Sequence, residues 1–188
     1  MKTQVILFLF SVLTLNVYAT EVHSIAFANA KAIIIKSNDW KSKSVDVQIK
    51  EASGNIILSE TLKIKNSDRK YNFKNLPDGE YSIQITDDLK IATQHFSIRK
   101  EEVKMSQSVE TIHKPFITKK DNHLDINLMT GGNTAFINIT DINNNIVYAD
   151  KYETATIHKR FNITSLVPGS YSMTVSIKDR TFTHEFKN

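Results

Sequence analysis

The sequence predicts an all-β protein built as two tandem β-sandwiches, and three observations carry that prediction. The first is internal repetition at an offset of 90 residues: Leu76-Pro77-Asp78-Gly79-Glu80-Tyr81-Ser82 returns as Leu166-Val167-Pro168-Gly169-Ser170-Tyr171-Ser172. The same shift carries Val47 to Ile137, Ile49 to Ile139, Asn72 to Asn162 and Phe96 to Phe186, with no gap between about Ser44 and Phe96. A repeat at this length means two copies of one small domain, not one large core. The second is alternation: Val45, Val47 and Ile49 are interleaved with Ser44, Asp46, Gln48 and Lys50. Period two puts one set of side chains on one face of a pleated strand, the pattern of an antiparallel sheet with one buried face. The third is punctuation by turn residues at regular spacing, as in sandwich folds.

Taken in order, strands are expected in the first copy near Ser24–Ala28, Ala32–Lys36, Ser44–Lys50, Ile56–Lys63, Lys70–Phe73, Glu80–Thr86 and Thr93–Ile98. Ser53-Gly54-Asn55 separates the third from the fourth, because Gly and Asn accept the positive φ of tight hairpins. Asn66-Ser67-Asp68 marks the next break. Tyr81, Ile83 and Ile85 then alternate with Ser82, Gln84 and Thr86. In the second copy strands are expected near Thr111–Thr118, Leu124–Leu128, Ala135–Thr140, Ile146–Tyr152, His158–Ile163, Ser170–Ile177 and Thr181–Phe186, with Asn143-Asn144-Asn145 as the equivalent hairpin. The repeated Leu-x-x-Gly-x-Tyr element reads as a structural corner. Leu76 or Leu166 plugs the end of the sandwich and Gly79 or Gly169 lets the chain turn. Tyr81 or Tyr171 buries its ring while its hydroxyl reaches back to the backbone.

Residues 1–19 read as a signal peptide. Lys2 is followed by the apolar run Val5–Leu15, too short to span a bilayer, and by small residues ending at Ala19. Cleavage there would leave one sandwich over residues 20–99, a polar linker over 100–108 and a second sandwich over 109–188. No later segment is apolar enough to cross a membrane. The formal net charge of +4 is spread along the chain and forms no basic block that nucleic acid would select. With no cysteine there is no disulfide, thiol nucleophile or thiolate metal site, so stability must come from the cores.

No catalytic, cofactor-binding or metal set is legible. The six histidines, at 23, 95, 113, 123, 158 and 184, lack the spacing of a helical or finger metal site. Asp141-Ile142-Asn143-Asn144-Asn145 imitates the start of a calcium loop. Ile146 then stands where the loop requires Gly, and Tyr152 where it requires Glu, so a hairpin turn is the better reading. Two sequons, at Asn138 and Asn162, fall inside expected strands and read as chance matches. Five glycines offer no phosphate cradle. Two aromatic residues remain as candidate contacts. Trp40 lies in a polar loop among lysines, where it either stacks on a partner or folds back over Ile33 and Ile35. Phe136 breaks parity on a strand whose core face is already Ala135, Ile137 and Ile139, so it points outward.

The order of these features resembles the small immunoglobulin-like domains exported by Bacteroidota: alternating strand, Gly/Asn turn, apolar strand, Leu-x-x-Gly-x-Tyr, alternating strand, terminal Phe. The resemblance covers about Ala32–Ile98 and Leu124–Asn188. It implies immunoglobulin-like or fibronectin-like sandwiches without enzyme activity or cofactor. Two relatives share the pattern: a family of standalone secreted domains, and the C-terminal sorting domain of the type IX secretion system. The usual Asn-Pro start and a basic C-terminal cluster of the sorting domain are missing, which favours the standalone family. The function so implied is an exported, non-enzymatic binding or scaffold module at the cell envelope or outside the cell, its partner a protein or a surface glycan. The alternative is a second repeat that serves as a sorting and anchoring signal. An enzyme with a site between the sandwiches ranks below both.

Overall fold

The structure is a computed structural model, and it describes residues 25–29, 31–36, 40, 42–63, 68–100 and 102–188. The expected signal peptide lies outside the described residues. In chain order the strands are β1 (Ile25–Asn29), β2 (Ala32–Ile35), β3 (Ser44–Glu51), β4 (Ile56–Lys63), β5 (Arg69–Asn72), β6 (Gly79–Thr86), β7 (Lys90–Arg99) and β8 (Glu102–His113). They continue as β9 (Phe116–Lys120), β10 (His123–Met129), β11 (Ala135–Asp141), β12 (Ile146–Tyr152), β13 (Thr156–Asn162), β14 (Ser170–Ile177) and β15 (Arg180–Lys187).

Four antiparallel sheets result. In the first half β1-β2-β5 faces β4-β3-β6-β7-β8; in the second β9-β10-β13 faces β12-β11-β14-β15. The two halves have the same topology, strand for strand, except that β8 has no counterpart among the described residues. The repeat also extends to backbone detail that residue identity conceals. Lys31 and Asp121 both turn with positive φ, at 52° and 51°, and so do Gly54 and Asn144, at 89° and 63°. Register shifts fall at Ile49/Lys50 and again at Ile139/Thr140.

Alternation translates directly into two cores. Val45, Val47, Ile49, Ile83 and Ile85 are buried against Ile33, Ile35 and Tyr71 of the facing sheet. Ala135, Ile137, Ile139, Met173 and Val175 are buried against Leu124, Ile126, Leu128 and Ile157. Each of the Val, Ile, Leu and Met side chains among them contributes about 1.5–3 kcal/mol when fully buried, set against the chain entropy lost on folding. Tyr81 stacks on Phe96 at 5.4 Å between ring centroids, and Tyr171 stacks on Phe186 at 5.6 Å.

Residues 100–108 depart from expectation. The segment read as a linker is mostly strand: β8 pairs with β7 from Arg99↔Glu102 to Lys90↔His113, with a register shift between Gln94 and Phe96. Its Val103 is buried in the first core and Met105 packs against that core. At its other end Ile112, with Ile91 of β7, belongs to the buried cluster of the second half. Residues 111–118, expected as one strand, are therefore divided: His113 ends β8, and Phe116 starts β9 beyond Lys114-Pro115. Polar bonds join the halves at the same place. Lys178 Nζ lies 2.6 Å from Glu110 Oε1, and Arg180 Nη2 donates to Gln84 Oε1 at 2.7 Å.

Candidate functional site

Each half ends in a corner made by its Leu-x-x-Gly-x-Tyr element. Asn72 Oδ1 accepts from Lys74 N at 3.0 Å and Asn162 Oδ1 from Thr164 N at 3.0 Å, so the repeated Asn starts the bend with an Asx turn. Leu76 N donates to Phe73 O and Leu166 N to Ile163 O, which brings both leucines onto their cores. The tyrosine hydroxyl closes the corner: Tyr81 donates to Pro77 O at 2.8 Å and Tyr171 to Val167 O at 2.7 Å. Neither Gly79 nor Gly169 has a positive φ, so a sharp left-handed turn is not the reason for glycine. At Gly79 the reason is steric, because a Cβ would stand 3.3 Å from the Tyr81 ring. At Gly169 the nearest contacts are 3.8 Å and 3.9 Å, which is ordinary packing.

Beside each corner the third-to-fourth strand hairpin forms the other wall of a groove. Its turn is held by one carboxylate. Asp141 Oδ1 accepts from the backbone N of Asn143 and of Asn145, both at 2.8 Å, and Oδ2 accepts from Asn145 Nδ2 at 2.8 Å. These bonds, led by the Asn145 side chain, hold the Asp141 carboxyl below its ordinary range. The oxygens that a calcium loop would offer to a cation are therefore spent on the turn. Glu51 does the same work more loosely, with Oε2 3.3 Å from Ser53 Oγ and from Asn55 Nδ2.

In the first half the groove is lined by Lys50, Glu51, Ala52, Gly54, Glu80, Tyr81, Ser82 and His95 and has a volume of about 320 Å³. In the second half Thr140, Asp141, Ile142, Asn144, Ser170, Tyr171, Ser172 and Glu185 occupy the same places, each 90 residues on. That groove also reaches Phe186 and Lys187, and its volume is about 710 Å³. The difference has a visible cause. In the first half β8 lies against the equivalent pair, with Lys104, Met105 and Ser106 beside Phe96 and Ser97. In the second half no strand among the described residues pairs with the outer edge of β15.

The aromatic candidates separate. Trp40, considered as an exposed contact, is only 6% exposed and belongs to the first core with Ile33 and Ile35. Lys90 Nζ sits 5.5 Å from its ring centroid. The polar residues around Trp40 mislead about its environment, because a loop can fold back over the end of a sandwich. Phe136 is 47% exposed on β11, opposite Lys151 and Ser176, and lies outside the groove. Of the acid and base side chains that a site between the sandwiches would need, His95 and Asp141 line separate grooves, Asp125 pairs with Arg160 at 2.7 Å, and His158 Nδ1 contacts Asn127 Oδ1 at 2.6 Å. Among the described residues no three His, Asp or Glu side chains are placed to hold a metal ion, and no helix is long and apolar enough to cross a membrane. Of the groove residues, the tyrosines and the hairpin residues Gly54, Asp141 and Asn144 stand out in the sequence. The 90-residue offset is the signal for the rest, since it superposes the residues of one groove on those of the other.

Paired antiparallel sheets, closed in each half by a tyrosine and flanked by a hairpin groove, define a tandem β-sandwich protein. The profile of the secretion system C-terminal sorting domain matches residues 28–99 and again residues 120–186. The chain belongs to that family, and of the two relatives the sequence resembles, it is the sorting domain whose profile matches. Among solved structures, a biofilm associated protein, BSP domain, is 16% identical with a TM-score of 0.30. The match covers 85% of this chain and 27% of that one, so the chain spans about a quarter of that structure's length. No curated protein matches the chain. A secretion-related all-β module is the class these findings define.

Proposed function

We propose that this chain is an exported, non-catalytic binding module of the cell envelope, and that the corner groove of the second half is its principal contact site. The observation that carries the reading is the duplicated groove. Eight positions line it in both halves at one constant offset, while the residues filling them range from Glu51/Asp141 to His95/Glu185. A groove kept at the same positions while its size and chemistry diverge fits recognition of related but different surfaces, since loops on a rigid sandwich are where binding residues concentrate. The second groove has room for a side chain or a sugar ring, with hydroxyls from Thr140, Ser170 and Ser172 and an apolar rim at Ile142, which is 78% exposed. Phe136 would extend the contact across the outer face of β11.

The test is binding of the purified full chain to isolated envelope material. Ile142→Asp and Lys187→Glu should each weaken it about tenfold or more, as expected of a rim anchor and a charge at a contact site. Unchanged binding in both variants would remove the groove from the proposal. A second reading, that the later repeat acts as a sorting and anchoring signal, is supported by the family match over residues 120–186. A reporter carrying the full chain at its C-terminus should then reach the cell surface, and retention of that reporter in the periplasm would count against sorting.

A further inference from the structure

We propose that the outer edge of β15 is a docking edge for one antiparallel β-strand from a partner protein, with apolar side chains of Val or Met size at alternate positions and polar residues between them. This rests on the binding reading above and narrows it to one edge and one kind of ligand. The argument is the repeat itself. β7 and β15 are equivalent strands in equivalent sheets, and β7 has a strand on its outer edge where β15 has none among the described residues.

What β8 does to β7 defines what a ligand would do to β15. It sets Met105 opposite Phe96 and Val103 opposite Ile98. It also covers Gln94, which is 3% exposed and whose Nε2 donates to the backbone oxygen of Ser106 at 2.7 Å. The equivalents on β15 are Phe186 for Phe96 and His184 for Gln94. Phe186 is stacked on Tyr171 just as Phe96 is on Tyr81, while Phe182 and His184 remain half-buried. His184 holds the position from which Gln94 meets the carbonyl of its added strand. The larger groove at Phe186 and Lys187 lies where, in the first half, Lys104, Met105 and Ser106 close off a separate pocket of about 220 Å³ beside Phe96 and Ser97.

The edge is defended only at its start. Natural sheets blunt exposed edges with bulges, prolines or inward-pointing charge, and β15 carries such a charge at Arg180, opposite the buried Ile177. Where β4 and β12 pair with their neighbours the register shifts, but β15 runs in unbroken register with β14 from Ser170↔Lys187 to Ile177↔Arg180. It has no proline, and its Phe182, His184 and Phe186 face the core side. Such an edge suits strand addition, in which main-chain bonds supply affinity and alternate side chains supply specificity.

The ligand used for the test is residues 102–109 of this protein, Glu-Val-Lys-Met-Ser-Gln-Ser-Val, joined behind Asn188 by a flexible Gly/Ser linker so that its effective concentration is high. Hydrogen exchange of the outward amides of β15 should slow by about tenfold or more in the fused chain. A fused control with Val103 and Met105 of the added segment replaced by Ser should give no protection. Absence of protection in the first chain, or equal protection in both, would overturn the proposal. So would concentration-dependent protection of these amides in the unmodified chain, because a second copy would then be the occupant. The occupied chain should also bind envelope material at least about tenfold more weakly than the unmodified one. If its binding were unchanged while Ile142→Asp still abolished binding, the edge would be excluded as the docking site and the groove reading would stand.

Discussion

At the scale of single residues, the corner tyrosines and the glycine before one of them make separable predictions. Tyr81→Phe and Tyr171→Phe keep the buried ring and delete one hydroxyl-to-carbonyl bond, leaving Pro77 O or Val167 O without that donor. Each should cost about 1 kcal/mol in denaturant unfolding. Gly79→Ala should be destabilising relative to Gly169→Ala. At Gly79 the new methyl meets a ring that cannot retreat, because it is buried, stacked on Phe96 and tethered at its hydroxyl. At Gly169 there is room, and the lower backbone entropy of alanine in the unfolded chain makes the change neutral or stabilising by about 0.5 kcal/mol. Comparing the two melting temperatures checks both. Asp141 sets a pH dependence. Its carboxyl titrates below the ordinary value of about 3.9 in the folded chain, so the unfolded state binds its proton first as pH falls. The stability it contributes is complete above that value and is lost as pH falls through the folded pKa. An NMR titration should show the amides of Asn143 and Asn145 moving together with this carboxyl, and in Asp141→Asn that transition should vanish.

At the scale of elements, β8 matters most. Its first half completes the sheet of one sandwich, and its last turn of side chains enters the core of the other. Ile112→Ala should therefore destabilise the second half by about 2 kcal/mol or more, through lost burial and the cavity left behind, although residue 112 pairs with a strand of the first half. Circular dichroism during urea unfolding measures the change. β8 was poorly legible because Arg99–Gln107 shows only Val103 and Met105 as apolar residues in a charged setting. An edge strand needs few apolar residues, since it covers one side of a core that others have already built. By contrast β3, β6, β11 and β14 were legible because each is a central strand whose inward positions are all apolar. Trp40 was ambiguous for the opposite reason: its neighbours in sequence are polar, and its apolar surroundings come from the core of the first half.

At the scale of the whole molecule there are two buried clusters joined by a strand pair and a few polar bonds. Trp40 is the one tryptophan and sits in the first cluster, so its fluorescence reports that half alone. Ile137→Ala, wholly within the second cluster, should lower the circular-dichroism midpoint by the equivalent of about 2–4 kcal/mol. The Trp40 midpoint should move by less than about 0.5 kcal/mol, as for distant and independent sites. A shift of equal size in both signals would mean that the halves unfold as one unit.

The sequence by itself determined the fold class, the duplication, the hairpins and the tyrosine corners, because each rests on local chemistry: alternation on a pleat, residues that accept left-handed backbone, and a ring four residues from its carbonyl. Only the tertiary structure decided that Trp40 is core, that the supposed linker is a strand shared by both halves, and that matching grooves differ in size because one edge is covered and the other is uncovered among the described residues. Those outcomes depend on which strands lie side by side across long stretches of chain, and pairing at that distance leaves no periodic trace in the order of residues.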